Sequence, residues 1–436
     1  MKKIKIAMIC HFSTAEVRSH LPLDDRKVYR FMRKLLRLPN KTGNYGDIAP
    51  WDKSIIEDFR KRDDVDLYVI SAHSGLKKTV CQFEMDGVHY WFVRCDFTNM
   101  LQRLVPNDAL WRKLNTLTPK VRRIIDAIKP DIVNLQGNEN AYYSATVLGL
   151  KGYPIYSLCQ TVYNNPDRAK YGEMSSKNAT TEMEIFKKVQ YFGVYSKMHY
   201  NLLRPLSPNA YIFKFGYPGS GKLLRPTPTE KEFDFVNFAM GISEKKGYYD
   251  AVKALAIVKQ TYPEVRLNLV GGASEEELAK MKTLISELGL QENVVMTPFF
   301  EKQSDMFLHI QKSRFALLPC KMDNVSGTMT QSMQLGLPLI VYRTTGTPGF
   351  NKEKECALIA EHSNIGDLAS KMLMLMNSPE LAETLKTNAR EFQENRARKA
   401  MENGDRLIAN IKAIIDNHKN GTPIPQDMLF NPERNE

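Results

Sequence analysis

No stretch of this chain stays apolar over the ~20 residues that a membrane-crossing helix needs. Cysteine is scarce, with six in 436 residues, at positions 10, 81, 95, 159, 320 and 356. None pair as C-x-x-C, and none stand at metal-ligand spacing from a histidine. A disulfide framework and a structural metal site are therefore not expected, and the thiols read as reduced and mostly buried in a cytoplasmic protein. The opening MKKIKIAMICHF has too short an apolar run for a signal peptide, and His11, Glu16 and Arg18 follow at once. It reads as a buried first strand. No short-period repeat is visible, which argues against a solenoid. What is present is ordinary for a globular protein, at 43% hydrophobic and 25% charged residues. The length suits two domains, each with its own core.

Acidic charge is short in one half only. Residues 1–222 hold 35 Lys and Arg against 21 Asp and Glu, while residues 223–436 hold 26 against 28. The first half thus carries nearly the whole positive surplus. Such a surplus suits an anionic partner, such as a membrane surface or a phosphorylated acceptor, or simply a basic surface. Nucleic acid is not expected, because no aromatic-basic motif accompanies the charge. The segment 24–39, DDRKVYRFMRKLLRLP, is basic and amphipathic. Val28, Phe31, Met32, Leu35 and Leu36 share one face, which would fit either a core or anionic lipid.

Short apolar runs alternate with helical patterns along the chain. IKIAMIC (4–10), DLYVIS (66–71), HYWFVRC (89–95), DIVNLQ (131–136), YPIYSLCQ (153–160) and YFGVYS (191–196) read as strands, with helices near 52–62 and 109–128. FDFVNFAMG (233–241), VRLNLVGG (265–272), NVVMTP, FALLPC and PLIVYR repeat the pattern, with helices over 247–261 and 275–288. This predicts an α/β protein of two Rossmann-like, doubly wound domains with parallel sheets. The expected division is a first domain over 1–215 and a Pro- and Gly-rich hinge over 216–231. A second domain over 232–398 follows. A C-terminal helix over 399–418 is expected to return to the first domain, and a loose polar tail over 419–436 ends the chain. Ligands on such sheets bind where strands run into helices, so chemistry is expected in those loops and in the cleft between the domains.

The most informative stretch is LLPCKMDNVSGTMTQSMQLGLPLIVYR. A strand ends near Pro319 and a helix begins at Ser326-Gly327-Thr328. Gly336 ends that helix and Pro338 opens the next strand. First-turn N–H groups without intrahelical partners, together with the helix dipole, favour an anion there. A plain N-cap by Ser326 or Thr328 explains the same residues.

This stretch resembles the signature of retaining glycosyltransferases of family four, which have the GT-B fold. In that family two glutamates eight positions apart bracket the loop, one facing the donor sugar and one holding the ribose. They fall on Asp323 and Gln331 here. The family's G-R…K-G, which grips the diphosphate, matches at Lys246-Gly247, but its arginine falls on Gly241, beside which Lys245 is a substitute. Val270-Gly271-Gly272 resembles the family's L-V-G-x-G, and Thr297-Pro298-Phe299 stands where members read the base. A glycine-rich loop expected after strand one is missing at His11 to Ser13. Gly43 and Gly46 resemble it displaced downstream, or form a surface turn. Gln160 takes the place of an acceptor-side residue, and Gly137 also closes a strand.

The resemblance implies transfer of a sugar, with retention and without metal or cofactor, from a nucleoside diphosphate sugar to a saccharide or lipid-linked hydroxyl. Lys246 and Asp323 would be the catalytic residues. Polysaccharide or glycolipid synthesis on the inner face of the membrane is the expected setting. Two alternatives stay open: a non-catalytic nucleotide-sugar-binding protein, and a sugar-nucleotide epimerase.

Overall fold

The computed structural model describes residues 3–23, 31, 48–49, 51–96, 98, 104–165, 168, 174–219, 222–300, 302–322 and 326–433. The chain divides into two compact units, Met1–Gly219 with Ala400–Glu436, and Ser220–Lys399.

Unit 1 is built on an eight-stranded sheet. Its strands are β1 (Ile4–Cys10), β2 (Val65–His73), β3 (Val80–Met85), β4 (Val88–Arg94), β5 (Ile132–Gln136), β6 (Ile155–Leu158), β7 (Tyr191–Val194) and β8 (Tyr211–Lys214). Their order is β3-β4-β2-β1-β5-β6-β7-β8. From Ile6 to Cys10, β1 reads as an unbroken apolar run because both of its faces are covered. Ile6 lies in register with Leu67 on one side and Ile132 on the other. The helices α1 (Asp52–Arg60), α2 (Leu117–Ile128) and α3 (Ser176–Lys188) cover the sheet. α1 turns Ile55, Ile56 and Phe59 onto one face, and α2 turns Val121, Ile124, Ile125 and Ile128 onto the other.

Three expectations need correction here. The sheet is not wholly parallel, because β3 pairs antiparallel with β4 across Asp86-Gly87. Both turn residues have positive φ, 51° and 73°, the conformation that an Asp-Gly hairpin turn requires. The helix expected over 109–128 is broken. Buried Asn115 accepts from the Leu117 amide at 2.9 Å and donates to the Tyr142 carbonyl at 3.2 Å, so its side chain replaces helical bonding. The polar tail is not loose up to residue 433. Ile424 and Phe430 are buried, and the Phe430 amide donates to the Ile212 carbonyl at 2.7 Å.

Unit 2 has a six-stranded parallel sheet. Its strands are β9 (Phe233–Gly241), β10 (Leu267–Gly272), β11 (Val294–Thr297), β12 (Ser313–Leu318), β13 (Leu339–Tyr342) and β14 (Leu358–Ala360). The order is β11-β10-β9-β12-β13-β14, so the winding reverses between β9 and β12. Its helices include α4 (Tyr248–Lys259), α5 (Glu275–Glu287), α6 (Gly327–Gln334), α7 (Ile365–Asn377) and α8 (Pro379–Asn420). α4 buries Tyr248, Ala251, Leu255 and Val258 with Leu368 and Met372 of α7. Met329 and Met333 of α6 fill the opposite face with Val236, Phe238 and Leu318. Burying each such large side chain is worth about 1.5–3 kcal/mol. Residues 222–231 run along this unit. The Leu224 amide donates to Gln334 at 3.3 Å and the Thr227 amide to Gln311 at 2.7 Å.

α8 is far longer than the helix expected over 399–418. Its residues Leu407, Ile408, Ile411 and Ile414 belong to the unit 1 core with Ile6, Met8 and Phe59.

Candidate functional site

In unit 2 the predicted residues gather at the carboxyl ends of four adjacent strands. β9 ends at Gly241 and β10 at Gly271-Gly272; their ends are joined by a 2.8 Å bond from the Ile242 amide to the Gly272 carbonyl. A side chain on Gly271 would meet the Ala239 carbonyl at 2.8 Å, so β9 itself demands that glycine. Pro298 and Phe299 follow β11, and Phe299 is half exposed with its Cβ 3.7 Å from where a Gly272 side chain would begin. At Gly241 an added side chain would meet only the Gly272 carbonyl, at 3.6 Å. Packing therefore does not exclude the arginine that the resemblance would place there.

Between β9 and α4 the chain makes a single 3₁₀ turn, Glu244–Lys246, ended by Gly247 in the left-handed region. The Lys246 amide donates to the Ser243 carbonyl at 3.2 Å, and its ammonium has no ion-pair or hydrogen-bond partner among the described residues. The Ser243 hydroxyl, beside this turn, is buried without a partner among the described residues. The turn is held by Lys321, beyond β12. The Lys321 amide donates to the Lys245 carbonyl at 2.9 Å. Its ammonium, on a side chain only 9% exposed, bonds Glu244 and lies 3.0 Å from the Asp250 carboxylate. Burial alone would lower this ammonium's pKa, but hydrogen bonds to Glu244 and Asp250 outweigh it and raise it.

α6 begins at Ser326, whose hydroxyl accepts from the Met329 amide at 3.4 Å and pairs with the Thr328 hydroxyl at 2.8 Å. The plain cap and the anion site thus coexist. Of the two hydroxyl protons one lies between the pair, and the other is left to donate outward. Among the described residues nothing lies within 4 Å of a side chain built on Gly327, which leaves the Gly327 and Thr328 amides room for a ligand. Gln331 lies one turn on, partly exposed.

Asp323, Gly43 and Gly46 lie outside the described residues. So does the basic segment 24–39, apart from Phe31, which is exposed. Gln160 belongs to unit 1, where its amide donates to Asp52 at 3.2 Å. Sequence reasoning missed Ser243, Asp250 and Lys321. The first was hidden within a motif spacing, and the other two form a pair distant in sequence. Among the described residues, no three His, Cys, Asp or Glu side chains group as metal ligands.

Comparison with known proteins places this geometry. The chain is 24% identical over 151 residues to an uncharacterized glycosyltransferase of Haemophilus influenzae, a match spanning 34% of this chain and 41% of that protein. Anabaena HepE, solved in complex with UDP and glucose, superposes with a TM-score of 0.63 at 14% identity, over 93% of this chain and 99% of that one. Sucrose-phosphate synthase from Thermosynechococcus elongatus superposes with a TM-score of 0.63 at 14% identity, over 94% and 100%. These likenesses establish the fold as two Rossmann-like α/β domains, shared with GT-B glycosyltransferases. Within it, residues 223–392, which carry the whole strand-end rim of unit 2, match the family described as glycosyl transferases group 1.

Proposed function

We propose that this chain is a glycosyltransferase that moves a sugar from a nucleoside diphosphate sugar to a hydroxyl. The carrying observation is the rim itself: an unpaired lysine, an open helix start with a free hydroxyl proton, and glycine-lined strand ends, all inside the family-matched segment. Lys246 and the amides of Gly327 and Thr328 meet the diphosphate, whose negative charge grows as the sugar leaves. The Ser243 hydroxyl and one proton of the Ser326–Thr328 pair donate to the same oxygens. Gln331 takes a ribose hydroxyl, and main-chain groups at Pro298 and Phe299 read the base. The family resemblance assigns the donor sugar to Asp323. Retention, independence from metal, and a role in polysaccharide or glycolipid synthesis rest on the family resemblance.

Titration with UDP and GDP, and nucleotide release from a panel of nucleotide-sugars with and without acceptors, test this reading. Lys246→Ala is expected to weaken nucleoside diphosphate binding about 10- to 100-fold, the worth of one charge-assisted bond, and to leave nucleoside binding nearly unchanged. Equal loss for both ligands would remove Lys246 from the phosphate site. Glycine at 241 and glutamine at 331, where the family carries charge, favour one second reading, a nucleotide-sugar-binding protein without turnover. Tight binding with no release would select it.

The positive surplus of unit 1 supports an acceptor at an anionic membrane surface. Arg112, Lys113, Arg122 and Arg123 line a surface hollow of about 540 Å³. Leu104, Leu110 and Leu114 nearby along the chain are 42–48% exposed. Each basic side chain near such a surface contributes about 1 kcal/mol. Binding to phosphatidylserine vesicles is expected at low salt and lost at high salt. No sedimentation with vesicles at low salt rules the surface out.

A further inference from the structure

We propose that His309 is a positioning residue for the nucleotide base: in its neutral form it fixes both ends of the Pro298–Phe299 loop, and so sets which base the donor site accepts. This deepens the proposed function and rests on its reading of that loop.

Pro298 and Phe299 are exposed, and proline has no amide proton with which to tie the loop down. The residues on either side of the loop both meet one side chain, His309, from the helix Gln303–Ile310. Before the loop, the hydroxyl of Thr297, the last residue of β11, lies 3.4 Å from His309 Nε2 and donates to Asn268 Oδ1 at 2.8 Å. After the loop, the Phe300 ring packs on the imidazole with ring centres 5.1 Å apart. Asn268 closes the set, since its Nδ2 donates to His309 Nε2 at 2.7 Å.

Asn268 shows that the cluster is more than packing. It lies within β10, fully buried, in register with Val236 of β9 and Val295 of β11. An apolar side chain would fill that place without cost. A buried amide costs free energy unless its groups are bonded. Here its oxygen takes Thr297 and its nitrogen reaches His309, so one amide links the start of the loop to the helix. A satisfied network of this kind selects a single arrangement of the groups that it joins.

The direction of the bonds fixes the protonation state. The Asn268 amide donates, so Nε2 accepts, and the imidazole is neutral with its proton on Nδ1. Burial, and then the Lys312 ammonium, lower the His309 pKa, against a smaller opposite effect of Glu232. Lys312 follows the same helix and Glu232 precedes β9, and the two pair at 2.8 Å. β9, β10 and β11 face the ring with uncharged groups, those of Phe233, Asn268 and Thr297. His309 therefore stays neutral near pH 7 and titrates below the ordinary histidine value of about 6.5. Once charged, Nε2 can no longer accept. The Asn268 amide must turn over or lose its bond, and on turning over it makes Thr297 accept where it now donates. The first residue of the loop is reset in either case.

The test titrates the full-length chain with UDP-, GDP-, ADP- and dTDP-glucose, which share sugar and diphosphate and differ in the base. Inorganic pyrophosphate, which has no base, is run beside them. One base is expected to be preferred at pH 7.5, and its affinity to fall about three- to tenfold by pH 5. His309→Gln keeps an acceptor for Asn268 but does not titrate. It is expected to bind within about threefold of the parent at pH 7.5 and to lose the fall at acid pH. Comparing the two proteins at each pH cancels the ionisation of the ligand and of other groups. His309→Leu offers no acceptor, and is expected to lose about tenfold of the base preference at every pH while holding pyrophosphate as the parent does. A residue that served stability alone would lower the melting point and leave base preference and pH profile as they are. The proposal is overturned by a parent that binds all four bases alike, or by an acid fall in His309→Gln equal to that of the parent. Unchanged base preference in His309→Leu, or an equal loss of pyrophosphate binding, overturns it as well. Should His309→Leu not fold, the profile of His309→Gln decides. Binding of no glucose nucleotide refutes the donor reading itself, and this proposal with it.

Discussion

Replacing Lys321 by methionine is expected to cost unit 2 about 3–5 kcal/mol, the usual penalty for stranding one member of a buried ion pair. The stranded group is Asp250. Its side chain is 5% exposed, and among the described residues its partner besides Lys321 is the Tyr342 hydroxyl, at 3.0 Å. Glu244, the other partner of Lys321, is 62% exposed and relaxes into water, so it contributes little to the loss. For a unit of this size the change lowers the melting midpoint by roughly 6–20 °C. Adding Asp250→Asn to Lys321→Met is expected to recover most of the loss, because the uncompensated charge is then gone. A single variant that melts within 2 °C of the parent would show the pair to be solvated. The consequence for function follows from the same contacts. Lys321 ties both the Lys245 carbonyl and Glu244, and so fixes the turn that carries Lys246. Below its melting point, Lys321→Met is therefore expected to bind UDP more weakly as well.

Much of unit 2 was legible because its strands are largely buried and read as apolar-rich runs, two of them ending in glycine. Phe233–Gly241 was placed to the residue. β8 and β14 escaped notice because YIFK and LIA are too short to show a period. β3 had a visible signal in Asp86-Gly87 between two alternating segments, which was not used. The first half of α8 was missed because residues 386–403 are polar around most of the helix. Ile424 and Phe430 are isolated anchors, and a lone apolar residue carries no pattern.

The rim was legible as motifs, since glycine and lysine spacing reflects local geometry. The pair Lys321–Asp250, and Asn268 with His309, come from distant parts of the chain. No spacing rule joins them; only the crossovers of the sheet do.

Gly247→Ala is expected to be the most damaging small substitution in unit 2, at about 4 kcal/mol or more. Gly247 has φ of 75°. A left-handed alanine costs about 1–2 kcal/mol wherever it occurs. Here the added carbon would also stand 2.0 Å from the Pro319 carbonyl oxygen and 2.6 Å from its carbon. That obstacle is backbone at the end of β12 and cannot swing aside as a side chain would. Either β12 shifts, which disturbs the approach to Ser326, or the 244–247 turn lifts, which moves Lys246.

Gly289 separates the two costs. It has φ of 62° with nothing within 4 Å of an added carbon, so Gly289→Ala bears the backbone cost alone and is expected to lose about 1–2 kcal/mol. Chemical denaturation of the two variants measures the difference. A Gly247→Ala protein no less stable than Gly289→Ala would mean that the turn yields cheaply. In that case the loss must reappear in nucleoside diphosphate binding, because a turn that lifts carries Lys246 with it. Intact stability together with intact binding would show that the turn and the end of β12 do not meet as closely as the 2.0 Å approach requires.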